Sequence, residues 1–207
     1  MHASTSLRHP RDAQDGDTTA GAVKLIKYDF GQTTVGFILV AVGDNGIVAI
    51  AIREHDERDA LVSDLRTRFP RATLRHDPEA VRPSVEAVVC FVEDPHPDLA
   101  LSLDIRGTDF QRKVWAAVER IPFATTTTFA EIARQAGSPN AVRAVGNACS
   151  QNPLEFAIPC HRVLRSDGSF SGGSPWGDRR QSTIVAREAA RAMSLGTGRE
   201  TTGKRTP

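Results

Sequence analysis

The tetrapeptide Gly43-Asp44-Asn45-Gly46 separates two apolar runs, residues 34–42 and 47–54. Gly, Asn and Asp reach the backbone angles of a tight reversal at little cost, and most other residues do not. The turn therefore folds the two runs onto each other as antiparallel strands. A third apolar stretch, residues 23–30, precedes them, so a three-stranded antiparallel sheet is expected. Two helices should cover it. The first spans residues 57–69, where Leu61, Val62, Leu65 and Phe69 share one side. The second spans residues 79–91 and should be interrupted near Pro83, because proline removes a helical hydrogen bond. Cys90 falls on its apolar stripe and is expected in the core. Residues 23–94 thus read as an α/β N-terminal domain, preceded by a polar, disordered leader over residues 1–22.

The pattern changes after Glu93-Asp94-Pro95-His96-Pro97, a linker by composition. A short strand over residues 99–105 should lead into a helix over residues 109–121. Thr108 is its N-cap, and Phe110, Val114, Ala117 and Val118 point inward. Residues 129–136 and 139–150 form two short helices joined at Gly137-Ser138, a helix-turn-helix arrangement. Residues 159–164 read as an extended, strained segment, and residues 178–193 as a last helix. Residues 99–194 therefore form a mainly α C-terminal domain, followed by a flexible tail over 195–207.

The chain has 207 residues, 40% hydrophobic and 25% charged, the balance of a soluble globular protein. It has no apolar run of membrane-spanning length and no signal core. Three cysteines argue against a disulfide scaffold and for a reducing cytoplasm. A net charge of +1 conceals an asymmetry. Residues 1–104 carry 11 Lys and Arg against 17 Asp and Glu; residues 105–207 carry 15 against 8. A basic half is what a nucleic-acid surface requires, although solvated arginines would give the same count. Phosphate-binding loops, dinucleotide fingerprints and paired metal-ligand cysteines are missing from the pattern, so neither a metal nor a cofactor is expected.

The chemistry concentrates in Pro159-Cys160-His161-Arg162-Val163. A thiol is a strong nucleophile only as thiolate, and a base in the next residue can generate it.

Several motifs together resemble the O6-alkylguanine-DNA alkyltransferases, and most of all the alkyltransferase half of the bacterial adaptive-response regulator. They are Leu103-Asp104-Ile105-Arg106-Gly107-Thr108, Phe110-Gln111, Val114-Trp115, Ala141-Val142-Arg143-Ala144-Val145, Asn152, and Ile158 through Val163. Arg165, Asp167-Gly168, Trp176-Gly177 and Arg187-Glu188 follow. The resemblance covers residues 101–192; residues 24–100 match the family in layout more than in letters.

The resemblance implies suicidal repair of double-stranded DNA. The methyl group of O6-methylguanine, with O4-methylthymine as a further substrate, passes irreversibly to Cys160 without a cofactor. His161 takes the thiol proton through a water, Glu188 orients His161, and Asn152 braces the active-site turn. Backbone carbonyls of Cys160 and Val163 accept from the guanine amine, and Ser174 lies in the substrate-pocket loop. Arg143 fills the stack vacated by the flipped nucleotide. Ala144, Gly146 and Ala148 let their helix lie close to the minor-groove walls. A monomer in the cytoplasm, away from membranes, is implied.

Three departures from the family pattern surround the substrate. Phe129 stands where the family has a tyrosine whose hydroxyl helps protonate the departing guanine. Residues 171–177, Ser-Gly-Gly-Ser-Pro-Trp-Gly, are one residue longer than the related loop and lack its tyrosine. Ala124 replaces a turn glycine. Slower transfer or altered alkyl preference is expected. The rival readings are a non-enzymatic sensor of alkylated bases, a regulatory remnant of the adaptive-response activator, and a cysteine hydrolase. Family sensors lack the cysteine, the zinc-binding cysteines of the complete activator are absent, and a hydrolase would need an oxyanion hole.

Overall fold

The computed structural model describes residues 23–96, 101–170 and 177–200, with side chains as far as 196. The expected leader, residues 171–176 of the pocket loop, and residues 201–207 of the expected tail lie outside the described residues.

Strands β1 (Leu25–Thr33), β2 (Gly36–Gly43) and β3 (Gly46–Arg53) form the expected antiparallel meander, with Gly43 opposite Gly46 at the turn. Gly46 has φ +134°, and a Cβ there would stand 2.4 Å from the Ser102 carbonyl oxygen. Only glycine satisfies both conditions. The sheet has four strands, not three, in the order β3-β2-β1-β4. β4 (Thr73–His76) runs parallel to β1, with Leu25 opposite Thr73 and Tyr28 opposite His76. This strand is hard to read from sequence because it buries no residue fully and pairs along one side only.

Helix α1 (Arg58–Arg68) connects β3 to β4 and buries Leu61 and Leu65. Helix α2 (Pro78–Glu93) starts at the Asp77 cap, whose side chain accepts from the Ala80 amide. Pro83 does not interrupt it: the residue lies on the exposed side, where water can reach the Glu79 carbonyl that loses its helical donor. Cys90 is exposed rather than buried. The buried stripe runs through Val81, Val85, Val88 and Val92, and two residues beyond Val88 the helix has turned by about 200°.

The strand expected over residues 99–105 lies partly outside the described residues; in the part described, 101–105, Leu103 makes a single parallel bridge to Ile47. The Ile47 amide donates to Ser102 O (2.8 Å), and the Asp104 amide to Ile47 O (2.9 Å). A second bridge joins Ile50 to Leu154. Helix α3 (Asp109–Glu119) opens with a full capping box between Thr108 and Gln111. β5 (Thr127–Thr128) leads into α4 (Phe129–Gln135). Gly137, at φ +75°, turns the chain towards α5 (Val142–Ser150). The segment expected to be extended is instead one 3-10 turn, Cys160–Arg162, followed by β6 (Val163–Leu164), which pairs with β5. Helix α6 (Asp178–Glu200) extends past Met193 into the expected tail. One apolar core joins the two parts, with Ile50, Ile52 and Val92 meeting Trp115, Ile158 and Ile184.

Candidate active site

Cys160 opens a 3-10 turn that holds Cys160, His161 and Arg162 in consecutive positions. The turn is fixed from behind. The Asn152 side chain donates to Ile158 O (2.9 Å) and Cys160 Sγ (3.5 Å), and its Oδ1 accepts from the Leu154 amide (2.9 Å). One amide thus ties both ends of the 152–160 segment. Asn152 also ends α5, donating its backbone N–H to Cys149 O. Phe156, midway, has φ +69° and is almost fully buried. A bulky side chain seldom adopts that backbone region; here the packing of its ring holds it there.

His161 and Glu188 are sealed from solvent, and His161 Nε2 lies 3.0 Å from Glu188 Oε1. Arg162 donates to both oxygens of the same carboxylate, from Nε at 2.9 Å and from its terminal nitrogen at 2.8 Å. A further nitrogen reaches Ile121 O at 3.0 Å, and the guanidinium lies 5.6 Å from the Phe123 ring centre. Burial alone would raise the Glu188 carboxyl, but the hydrogen bonds from His161 and Arg162 outweigh it and hold it at about 2. Burial lowers His161 below the ordinary histidine range, against the opposing pull of Glu188. The imidazole is therefore neutral near pH 7 and can accept a proton.

Cys160 is half-buried. A hydrogen bond shared with the Cys149 thiol, followed by burial, pushes its thiol well above the ordinary range; the Asn152 donor opposes them. The resting Cys160 thiol is protonated. Its activation requires a base, and a neutral histidine with a buried counter-charge is the next residue.

α5 presents Arg143 and Ala144 to solvent, with Gly146 half-buried. A Cβ placed on Gly146 would meet nothing within 4 Å. The protein's own packing does not require glycine there. Phe129 is 9% exposed at the first turn of α4, behind Thr128, whose hydroxyl accepts from the Glu131 amide as the N-cap. The Val163 amide donates to Cys160 O, and Thr127 pairs with Val163. Ser174 lies outside the described residues.

The family model "6-O-methylguanine DNA methyltransferase, DNA binding domain" matches residues 109–190. Regulatory protein ada of Salmonella typhimurium is 42% identical over 166 residues, which is 79% of this chain. The chain spans 46% of that relative's length, about half. A methylated-DNA–protein-cysteine methyltransferase of Mycolicibacterium paratuberculosis is 38% identical over 136 residues, covering 63% of this chain and 82% of its own length. The chain belongs to this methyltransferase family. Among solved structures, Mycobacterium tuberculosis OGT in complex with DNA superimposes with a TM-score of 0.67 at 29% identity, over 80% of this chain and 94% of that one.

Within the family frame, four expected residues converge: Cys160, His161, Glu188 and Asn152. Arg143, Ala144 and Gly146 lie apart from them on α5. Arg162 is a contact of this cluster that sequence reasoning missed. Its partner Glu188 lies on another helix, so the pairing has no local signal in the sequence. Among the described residues, no group of His, Cys, Asp and Glu is placed to hold a metal ion. None of their helices is long and apolar enough to cross a membrane.

Proposed function

We propose that the chain repairs DNA by direct reversal, acting in the cytoplasm as a monomer, with double-stranded DNA containing O6-alkylguanine as its partner. Cys160 accepts the methyl group of O6-methylguanine, and of O4-methylthymine, in one irreversible step. The observation that carries this reading is the half-buried Cys160 thiol beside a sealed, neutral His161 that shares Glu188 with Arg162. The thiol proton passes to His161 through a water, and Glu188 stabilises the imidazolium. The thiolate attacks the methyl carbon in line. The S–C bond forms as the C–O6 bond breaks, and guanine leaves with a proton. A thioether is stable, so each molecule acts once. No cofactor is needed.

The target atom lies inside a duplex, so the nucleotide must be flipped out. Arg143, exposed near the start of α5, fills the gap. Gly146 and Ala144 keep α5 thin against the minor groove, and the open space around Gly146 supports a role directed outside the protein. Val163 and Cys160 supply carbonyls to the guanine amine, and Ser174 belongs to the pocket loop. Residues 23–94 support residues 99–194, which carry the chemistry.

Mass spectrometry tests the reading directly, after incubation with duplex DNA holding one O6-methylguanine. One methyl group is expected on the Cys160 peptide and none in Cys160→Ala. Lesion-selective binding without a gain in mass overturns alkyl transfer and leaves a sensor of alkylated bases.

A further inference from the structure

Glu188 reaches both His161 and Arg162 from a sealed position, which fixes the rotation of α6 about its axis. Two stripes of the helix bear on that rotation. Gln181, Ile184 and Glu188 are buried, at the spacing of one helix face. Arg180, Arg187 and Arg191 form a second stripe, which meets Glu54, Glu93 and Asp94. Arg187, next to Glu188, makes more than an ion pair. Its guanidinium donates to Val92 O at 2.7 Å and to the Thr34 hydroxyl. Val92 O lies in the last turn of α2, where carbonyls lack a helical donor. Thr34, in the turn between β1 and β2, donates its amide and hydroxyl to the two oxygens of Glu93, which lies 3.5 Å from Arg187. A closed ring of Arg187, Thr34 and Glu93 thus joins the β1–β2 turn, the end of α2 and α6. An exposed ion pair alone does little, but a planar guanidinium seated on a helix-end carbonyl is directional and sets orientation.

We propose that Arg187 is a positioning residue for the transfer reaction: its seat on Val92 O and Thr34 fixes the rotation of α6 and so holds Glu188 against His161. Successive residues of a helix point about 100° apart, so the two side chains grip different neighbours while sharing one backbone. The N-terminal part thereby reaches the active site through α6. Loosening Arg187 lets Glu188 drift from His161. The imidazolium formed when the Cys160 thiol gives up its proton then loses counter-charge, and thiolate formation moves to higher pH. Arg162, the other cation on Glu188, lies on the 3-10 turn and does not tie α6 to the N-terminal part. The identity of the reaction rests on the proposed function, but the link from Arg187 to the Cys160 thiol does not.

The test follows, on the full chain, the rate at which iodoacetamide alkylates Cys160 as a function of pH, read by peptide mass spectrometry. Methyl acceptance from duplex DNA holding O6-methylguanine is measured in parallel. Arg187→Ala should raise the midpoint of the Cys160 profile by about half a pH unit and cut the rate at pH 7 about threefold. Arg187→Lys, which can still donate to Val92 O, should restore the wild-type midpoint. Arg191→Ala, which breaks the neighbouring pair with Asp94, should leave it in place. Added to Glu188→Gln, Arg187→Ala should cause no further shift, because both act through the same carboxylate. Should Arg187→Ala not fold, Thr34→Val removes the hydroxyl seat in its stead. An unmoved midpoint in the folded variant overturns the proposal. So does an equal shift in Arg191→Ala, or a further shift in the double variant. A shifted midpoint in protein that never accepts methyl groups keeps the positioning role and refutes only the repair function.

Discussion

Phe129 and Ala124 show how single positions record a trade. Phe129 keeps an aromatic ring at the first turn of α4 but brings no hydroxyl, and the neighbouring Thr128 oxygen is occupied as the helix cap. Phe129→Tyr should raise the methyl-transfer rate by about 10²–10³-fold, the usual worth of one transition-state donor. Rapid-quench measurement on lesion DNA checks it; an unchanged rate removes Phe129 from the chemistry. Ala124 has φ +58°, a conformation glycine adopts freely and alanine does not. Ala124→Gly should therefore stabilise the fold by about 0.5–1 kcal/mol, read from urea unfolding, despite the added chain entropy. Both positions were legible as departures in the sequence. Arg162 was not, because its partner Glu188 lies on another element and the pairing appears only when α6 packs behind the 3-10 turn.

At the scale of elements, the 152–160 segment joins the site to the sheet. The Glu155 carboxylate accepts from the Ile52 amide at 3.0 Å, within reach of the fields of Arg53, Arg180 and Arg68 from β3, α6 and α1. Burial pushes its carboxyl up to about 8, and the three arginines recover only part of the shift. A carboxyl raised in the folded state stabilises fully below its unfolded value of 4.5 and loses that contribution as pH rises to about 8. Unfolding free energy should therefore fall by a few kcal/mol across that window. Glu155→Gln should flatten the slope; denaturant titrations at several pH values decide it, and an unaltered slope would assign the effect elsewhere. Helices α1 to α6 were readable because apolar spacing and caps are local signals. β4 and the two bridges to β3 were not, since their partners are distant in the chain and little of β4 is buried.

Over the whole molecule, the basic half is less free than its count suggests. Arg180, Arg187 and Arg191 of α6 face Glu54, Glu93 and Asp94 of the acidic part. Arg187 also donates to Val92 O at 2.7 Å. Part of the asymmetry read from sequence thus glues the halves together. With one apolar core running through both parts, calorimetry should record a single unfolding transition whose calorimetric and van't Hoff enthalpies agree; two resolved transitions would make the parts independent. β3 ends the sheet, and its outer edge would be a bare row of amides and carbonyls were it not occupied by residues 102–104 and 153–155. The segment that carries the reactive thiol is therefore also a cover strip against aggregation. Damage that loosens it unmasks a strand edge able to recruit other chains. A molecule with a displaced active-site segment would be lost to the insoluble fraction, not merely left idle.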